Sequence, residues 1–173
     1  MSIILAAVGA YLVGCVPTGP LSERLLSERS WKHLAAQLAD FLKGVAAVAL
    51  LTPPGPWSQA LTATAVVAGH LYPITGRVER GLGLATAAGA VSVISPVTPA
   101  VWAFLWALAF VLSGFHPVAC AVATIFFGPA MGYVAGWPLG AMALPACVMI
   151  FDRLRPGLRR VMLGTEPRHA WRR

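Results

Sequence analysis

Residues 77–95 read Arg77-Val78-Glu79-Arg80-Gly81-Leu82-Gly83-Leu84-Ala85-Thr86-Ala87-Ala88-Gly89-Ala90-Val91-Ser92-Val93-Ile94-Ser95. A basic connection runs straight into an apolar segment rich in alanine, glycine and valine. The cations stand beside the apolar run and not inside it, as they do at the ends of membrane spans. The small residues let helix backbones approach closely, which is how helices associate where lipid removes the hydrophobic drive between them. Working outward from Leu82–Ser95, further apolar runs cover Ile3–Leu21, Ala35–Leu51, Ala60–Tyr72, Val101–Leu112, Val118–Tyr133 and Leu139–Phe151.

Of the 13 lysines and arginines, all but Lys43 lie outside these runs, and they fall on alternate connections. Arg24, Arg29 and Lys32 share one connection and Arg77 and Arg80 another. The tail carries Arg153, Arg155, Arg159, Arg160, Arg168, Arg172 and Arg173. The intervening connections, such as Thr52–Gln59, carry none. This positive-inside pattern predicts an all-α, polytopic transmembrane helical bundle with its basic side in the cytoplasm. Several runs are shorter than the roughly 20 residues of a perpendicular span. Short helices interrupted by glycine or proline survive where neighbouring protein or water satisfies their backbone groups. Seven spans are expected, or as few as five where short runs re-enter the membrane. An odd number places the N-terminus outside and the C-terminus in the cytoplasm. The predicted organisation is a bundle over residues 1–151 followed by a basic cytoplasmic tail over 152–173. With no basic region ahead of it, the run from Ile3 reads as a retained first span and not a cleaved signal.

Composition agrees. The 173 residues are 58% hydrophobic and 11% charged, whereas a soluble domain carries about a quarter charged residues. Mean hydropathy is +0.74. The net charge of +7 would suit nucleic acid, but no separate globular domain exists to present it. Anionic lipid headgroups are the simpler partner, and no nucleic acid is expected. Cys15, Cys120 and Cys147 sit in apolar stretches without metal-ligand spacing, and His33, His116 and His169 add no ligand set. No metal or cofactor is implied.

Three clusters can carry chemistry. Asp40 and Lys43, spaced by three, share a helical face inside an apolar run. Intramembrane charges of this kind usually face inward and serve function; the bland alternative is a pair near the span's end, with Lys43 snorkelling to the headgroups. Gly69-His70-Leu71-Tyr72-Pro73 precedes the glycine-bearing segment quoted above. A glycine loop opening a helix can aim N–H groups at an anion, with Arg77 and Arg80 adding charge; it can equally be a basic connection with glycine packing. The tail, Asp152 to Pro167, is either part of a site or a lipid-facing polybasic segment.

Taken together, these clusters resemble the bacterial acyl-phosphate-dependent glycerol-3-phosphate acyltransferase family. Tyr11-Leu12-Val13-Gly14-Cys15-Val16-Pro17-Thr18-Gly19 looks like its first-span signature, Y-L-x-G-S-I-P-T-G. Asp40 through Gly44 matches D-x-x-K-G, and Gly69 through Pro73 matches G-H-x-F-P. Gly81, Gly83, Ala85 and Thr86 fall on G-G-K-G-V-A-T, and Arg160, Gly164, Thr165 and Glu166 on the terminal N-I-x-R-L-x-x-G-T-E. The resemblance implies a multi-pass protein of the bacterial plasma membrane, in contact with membrane lipids, that makes lysophosphatidic acid from acyl phosphate and glycerol 3-phosphate. It implies Lys43 and His70 as catalytic residues. Arg77, Arg80, Gly81, Gly83, Thr86 and Arg160 would hold substrate phosphate, with Asp40, Gly69, Gly164 and Glu166 as further family-matched positions.

The departures are equally specific. The family's G-S-G-N-x-G-A-T-N loop is missing, and Ser22–Leu34 is too short to hold it. In the glycine loop Leu82 stands for the lysine and Arg80 for the first glycine. Gly114 to Cys120 lacks the arginine and both serines of R-Y-x-S-x-x-S, and Leu154 and Gly157 occupy the tail's His and Asn positions. Two function classes follow: an acyltransferase with altered substrates, or a non-catalytic relative that binds lipid or a membrane partner. A small transporter, suggested by Asp40, Lys43 and the broken helices, is a weaker third because no inverted repeat is visible.

Overall fold

The computed structural model describes residues 2–18, 29–76 and 81–168. Arg77 and Arg80 lie outside the described residues, as does most of the short connection in which the resemblance expects a further loop. Seven helices and no strand are found among the described residues: α1 (Ile3–Gly14), α2 (Arg29–Leu51), α3 (Pro56–Leu71), α4 (Leu84–Ile94), α5 (Val97–Ser113), α6 (His116–Ala135) and α7 (Trp137–Met162). They follow the seven apolar runs in order.

Local chemistry sets the boundaries. Ser2 caps α1, its hydroxyl accepting from the Leu5 N–H at 3.3 Å. The apolar run predicts helix to Leu21, yet α1 stops at Gly14. Pro17 disfavours helical backbone at Val16, and Thr18 instead folds back to donate to Asp40 at 2.6 Å. Pro56 opens α3, and the Ser58 hydroxyl closes the preceding turn by donating to the Pro53 and Gly55 carbonyls at 2.6 and 2.7 Å. The chain turns into α4 through Gly83 at φ +74°, a left-handed conformation that glycine adopts without steric cost.

Close glycine contacts assemble the bundle. At the crossing of α1 and α3, a Cβ on Gly69 would collide with the Tyr11 carbonyl. Where α2 crosses α4, a Cβ on Gly44 would strike the Thr86 carbonyl and one on Gly89 the Phe41 carbonyl. α7 meets α6 in the same manner at Gly140 and Gly132. α5 leans on α6 through Trp102 against Phe127, with ring centroids 4.8 Å apart, and through Trp106 Nε1, which donates to Cys120 Sγ at 3.4 Å.

Among the described residues, three helical stretches are long and apolar enough to cross a membrane: Leu34–Leu51, His116–Ala135 and Trp137–Met162; α1, α4 and α5 are apolar but shorter. Leu50, Phe104, Val111 and Leu112 point outward, a surface that suits hydrocarbon better than water. α7 runs unbroken through Phe151 to Met162, so residues 152–162 prolong the last helix. Its basic end meets the end of α3, where the Tyr72 hydroxyl donates to Asp152 Oδ2 at 3.0 Å, and α1 joins there through the Tyr11 hydroxyl, which donates to the Tyr72 carbonyl at 2.7 Å. At the opposite end Trp57 and Trp137 pack edge to face, with ring centroids 5.4 Å apart.

Candidate functional site

α2 carries Asp40 and Lys43 on its inner face, and α3 presents His70 to them from its last turn. The Lys43 ammonium has three protons and, among the described residues, three acceptors. Asp40 Oδ1, the Val16 carbonyl and His70 Nδ1 each lie 3.1 Å from Nζ. With Nδ1 accepting, the neutral His70 ring carries its proton on Nε2. Asp40 Oδ1 also accepts from Thr18 Oγ1 at 2.6 Å and lies 3.4 Å from His70 Nδ1. All four residues are buried. An uncompensated charge in such a place would be costly, and mutual pairing plus hydrogen bonds is what makes it tolerable.

This cluster forms one wall of a cavity of about 490 Å³. Asp40, His70 and Gln37 supply polar groups, and Trp102, Trp106 and Pro99 an apolar face; His116 lies at the rim of α6. Lys43 is not among the lining residues and borders the cavity through its contact with His70. The segment from Gly81 to Ala85 completes the wall, so the N-terminal turn of α4 opens on the cavity. The N–H groups of a helix's first turn have no intrahelical partners and favour an anion. Gly81 is required by space: a Cβ there would lie 2.8 Å from His70 Nε2.

The structure thus brings together Asp40, Lys43, His70, Gly81 and Gly83. Thr86 is buried beside them, its hydroxyl without a hydrogen-bond partner among the described residues and its carbonyl against Gly44. Gly69 faces α1 and not the cavity. Arg160 is not among the residues lining the cavity: its Nε lies 2.5 Å from Glu166 Oε2, and its carbonyl accepts from the Thr165 and Glu166 N–H groups at 2.9 and 3.2 Å. Gly164, at φ +70°, turns the chain back for these bonds. The R-x-x-x-G-T-E match thus forms the C-terminal cap of α7.

Thr18, Gln37, Trp102, Trp106 and His116 are cavity or network residues that the sequence reading did not single out. Thr18 lay within the first-span signature, and its hydroxyl two residues after Val16 was the available signal. The aromatic wall offered none, because a tryptophan in an apolar run is ordinary core.

The family model described as glycerol-3-phosphate acyltransferase matches residues 29–164. The glycerol-3-phosphate acyltransferase of Caulobacter vibrioides is 32% identical, with 95% of this chain and 86% of that protein covered. That of Rubrobacter xylanophilus is 30% identical, with 99% and 97% covered. Among solved structures, the crystal structure of PlsY (YgiH), an integral membrane glycerol 3-phosphate acyltransferase, superposes in its glycerol 3-phosphate form with a TM-score of 0.80 at 25% identity, covering 98% of this chain and 96% of that one. Its lysophosphatidic acid form gives 0.79 at 26% identity, with 97% and 95% covered.

Proposed function

The chain is an integral membrane protein of the glycerol-3-phosphate acyltransferase family, and on that premise we propose that it transfers an acyl group from acyl phosphate to glycerol 3-phosphate or a related phosphate-bearing alcohol. The observation that carries this reading is the intact, buried Thr18–Asp40–Lys43–His70 network, opening on a cavity beside the N-terminus of α4. The named relatives include a PlsY structure in a glycerol 3-phosphate form, which supports a phosphate-bearing acceptor here.

In this reaction the acceptor oxygen attacks the acyl carbonyl carbon, the bond from that carbon to the phosphate oxygen breaks, and phosphate leaves. His70 Nε2–H serves as a donor to the oxygen on which charge develops, since Lys43 occupies Nδ1. The hydroxyl proton then passes to the departing phosphate, because the protonated Nε2 cannot take it. Lys43 fixes the tautomer, and Asp40 and Thr18 hold Lys43. Gly81, Gly83 and the first turn of α4 face the phosphate, with Thr86 behind them, and Arg77 and Arg80 stand just upstream to add charge. The acyl chain lies along the Trp102–Trp106 face. The same proposal places the basic end in the cytoplasm of a bacterial plasma membrane, with seven passes and the N-terminus outside.

The test is turnover by the purified protein in lipid nanodiscs, with acyl phosphate and labelled glycerol 3-phosphate, read as lysophosphatidic acid and released phosphate. His70→Ala removes one preorganised donor and should cost about 10²–10³ in rate. The second reading, a non-catalytic lipid- or partner-binding relative, is favoured by Leu82, Leu154 and Gly157 in place of polar family residues. Absence of transfer across a panel of polyol phosphates and diols, with folded protein, would replace the first reading by the second.

A further inference from the structure

Arg153 differs from the other basic residues of its segment. The Arg155 side chain is 77% exposed, as a lipid-facing cation would be, whereas Arg153 is half-buried and its Nε is closed off from solvent. Its Nη2 donates to the Leu71 carbonyl, and its guanidinium lies over the Tyr72 ring, 5.1 Å from the centroid. Leu71 and Tyr72 directly follow His70. The carbonyls at a helix C-terminus have no partner within the helix. Here side chains from two other helices take them: Arg153 of α7 holds that of Leu71, and Tyr11 of α1 holds that of Tyr72 at 2.7 Å. The Tyr72 hydroxyl ties back to Asp152, the residue before Arg153, at 3.0 Å. Any slide or rotation of α7 against α3 would break both contacts together.

From this geometry we propose that Arg153 and Tyr72 are positioning residues: they lock the end of α3 so that His70 Nδ1 stays on the Lys43 ammonium and Nε2 faces the cavity at Gly81. Arg153 therefore acts on substrate only through His70. The consequence for turnover rests on the acyl-transfer reading above, but the effect on His70 itself does not.

The experiment uses the full chain in lipid nanodiscs with ¹⁵N-labelled histidine, the His70 signals being assigned by their loss in His70→Gln. The wild type should show a single neutral His70 tautomer protonated on Nε2. In Arg153→Ala that signal should shift or split between tautomers, while kcat falls about 100-fold, the scale of a displaced reacting group, and KM stays within about twofold. Arg153→Lys keeps a donor and should recover about tenfold of the loss. If Arg153→Ala fails to fold, Tyr72→Phe and Arg153→Lys, which remove only the Asp152 tie or the fork, are read instead and should show the same His70 change in smaller measure.

An unchanged His70 signal in folded variants would overturn the proposal. So would a rise in KM at constant kcat, which would make Arg153 a substrate ligand. Should the wild type not turn over at all, the acyl-transfer reading fails, while the His70 signal in Arg153→Ala still decides the positioning role.

Discussion

Lys43 Nζ lies 3.1 Å from His70 Nδ1, with its two other protons directed to Asp40 and the Val16 carbonyl. That saturation connects α2, α3 and the turn after α1 at one buried point and sets which nitrogen of His70 carries a proton. On the proposed function, activity and stability are coupled at Lys43, and the coupling can be measured.

Lys43→Met would leave the Asp40 carboxylate buried without its cation. Breaking a buried pair from one side typically costs about 3–5 kcal/mol, whereas replacing both partners with apolar groups is often nearly neutral. Thermal unfolding in detergent should show a large loss for Lys43→Met and recovery of most of it in Lys43→Met/Asp40→Leu. Additive losses in the double variant would mean that the two charges are not paired in the membrane-embedded protein.

Gly81 and Gly83 should respond differently to alanine. A methyl at Gly81 would sit 2.8 Å from His70 Nε2, blocking the donor while leaving ordinary backbone. Activity should fall by about 100-fold with little change in unfolding temperature. Gly83 is left-handed at φ +74°, and its methyl would press on Leu71 at 3.0 Å. Its alanine variant should lose about 1–2 kcal/mol of stability. Reversed behaviour of the two variants would show that the cavity wall does not present Nε2 at Gly81.

The pairing of Arg160 with Glu166 makes a prediction opposed to a phosphate-binding role. The arginine side chain of this pair is 55% exposed, and exposed pairs contribute about 0–1 kcal/mol. Arg160→Ala should therefore leave KM for the phosphate-bearing substrates unchanged within about twofold and cost little stability. Kinetics over a range of acceptor concentrations decide the matter; a tenfold rise in KM would return Arg160 to the site.

The sequence carried the bundle and its helix order because burial in lipid forces a simple code, apolar runs with cations between them. It carried the shared face of Asp40 and Lys43, because a spacing of three puts both on one side of a helix, but it left snorkelling of Lys43 open as the alternative to the inward pair. It did not distinguish glycines that pack from glycines that line a site. Gly44 and Gly69 were matched to motifs that also hold Lys43 and His70, yet both face a neighbouring backbone, while Gly81 faces the imidazole. Which of two motif neighbours points inward depends on helix crossing, and that is a long-range property. The same holds for Arg153, which shares a basic run with Arg155 and Arg159 but is turned by α7 onto the end of α3.

Leu82 gives the most direct test of how this chain differs from the pattern that the resemblance implies. It lines the cavity between Gly81 and Gly83, at the position where the resemblance expects lysine. A leucine there supplies apolar surface to a wall that would otherwise meet phosphate, and charge-assisted bonds to phosphate are about twice as strong as neutral ones. Leu82→Lys should lower KM for glycerol 3-phosphate by about tenfold, corresponding to about 1.4 kcal/mol, with the weaker effect on neutral diols serving as control. The cost is a cation placed at a partly buried position, so a modest loss of thermal stability should accompany the gain. If Leu82→Lys instead leaves KM for glycerol 3-phosphate unchanged while impairing turnover of neutral diols, the native acceptor is one that prefers an apolar contact at this wall, and the search for it should move from polyol phosphates to neutral alcohols.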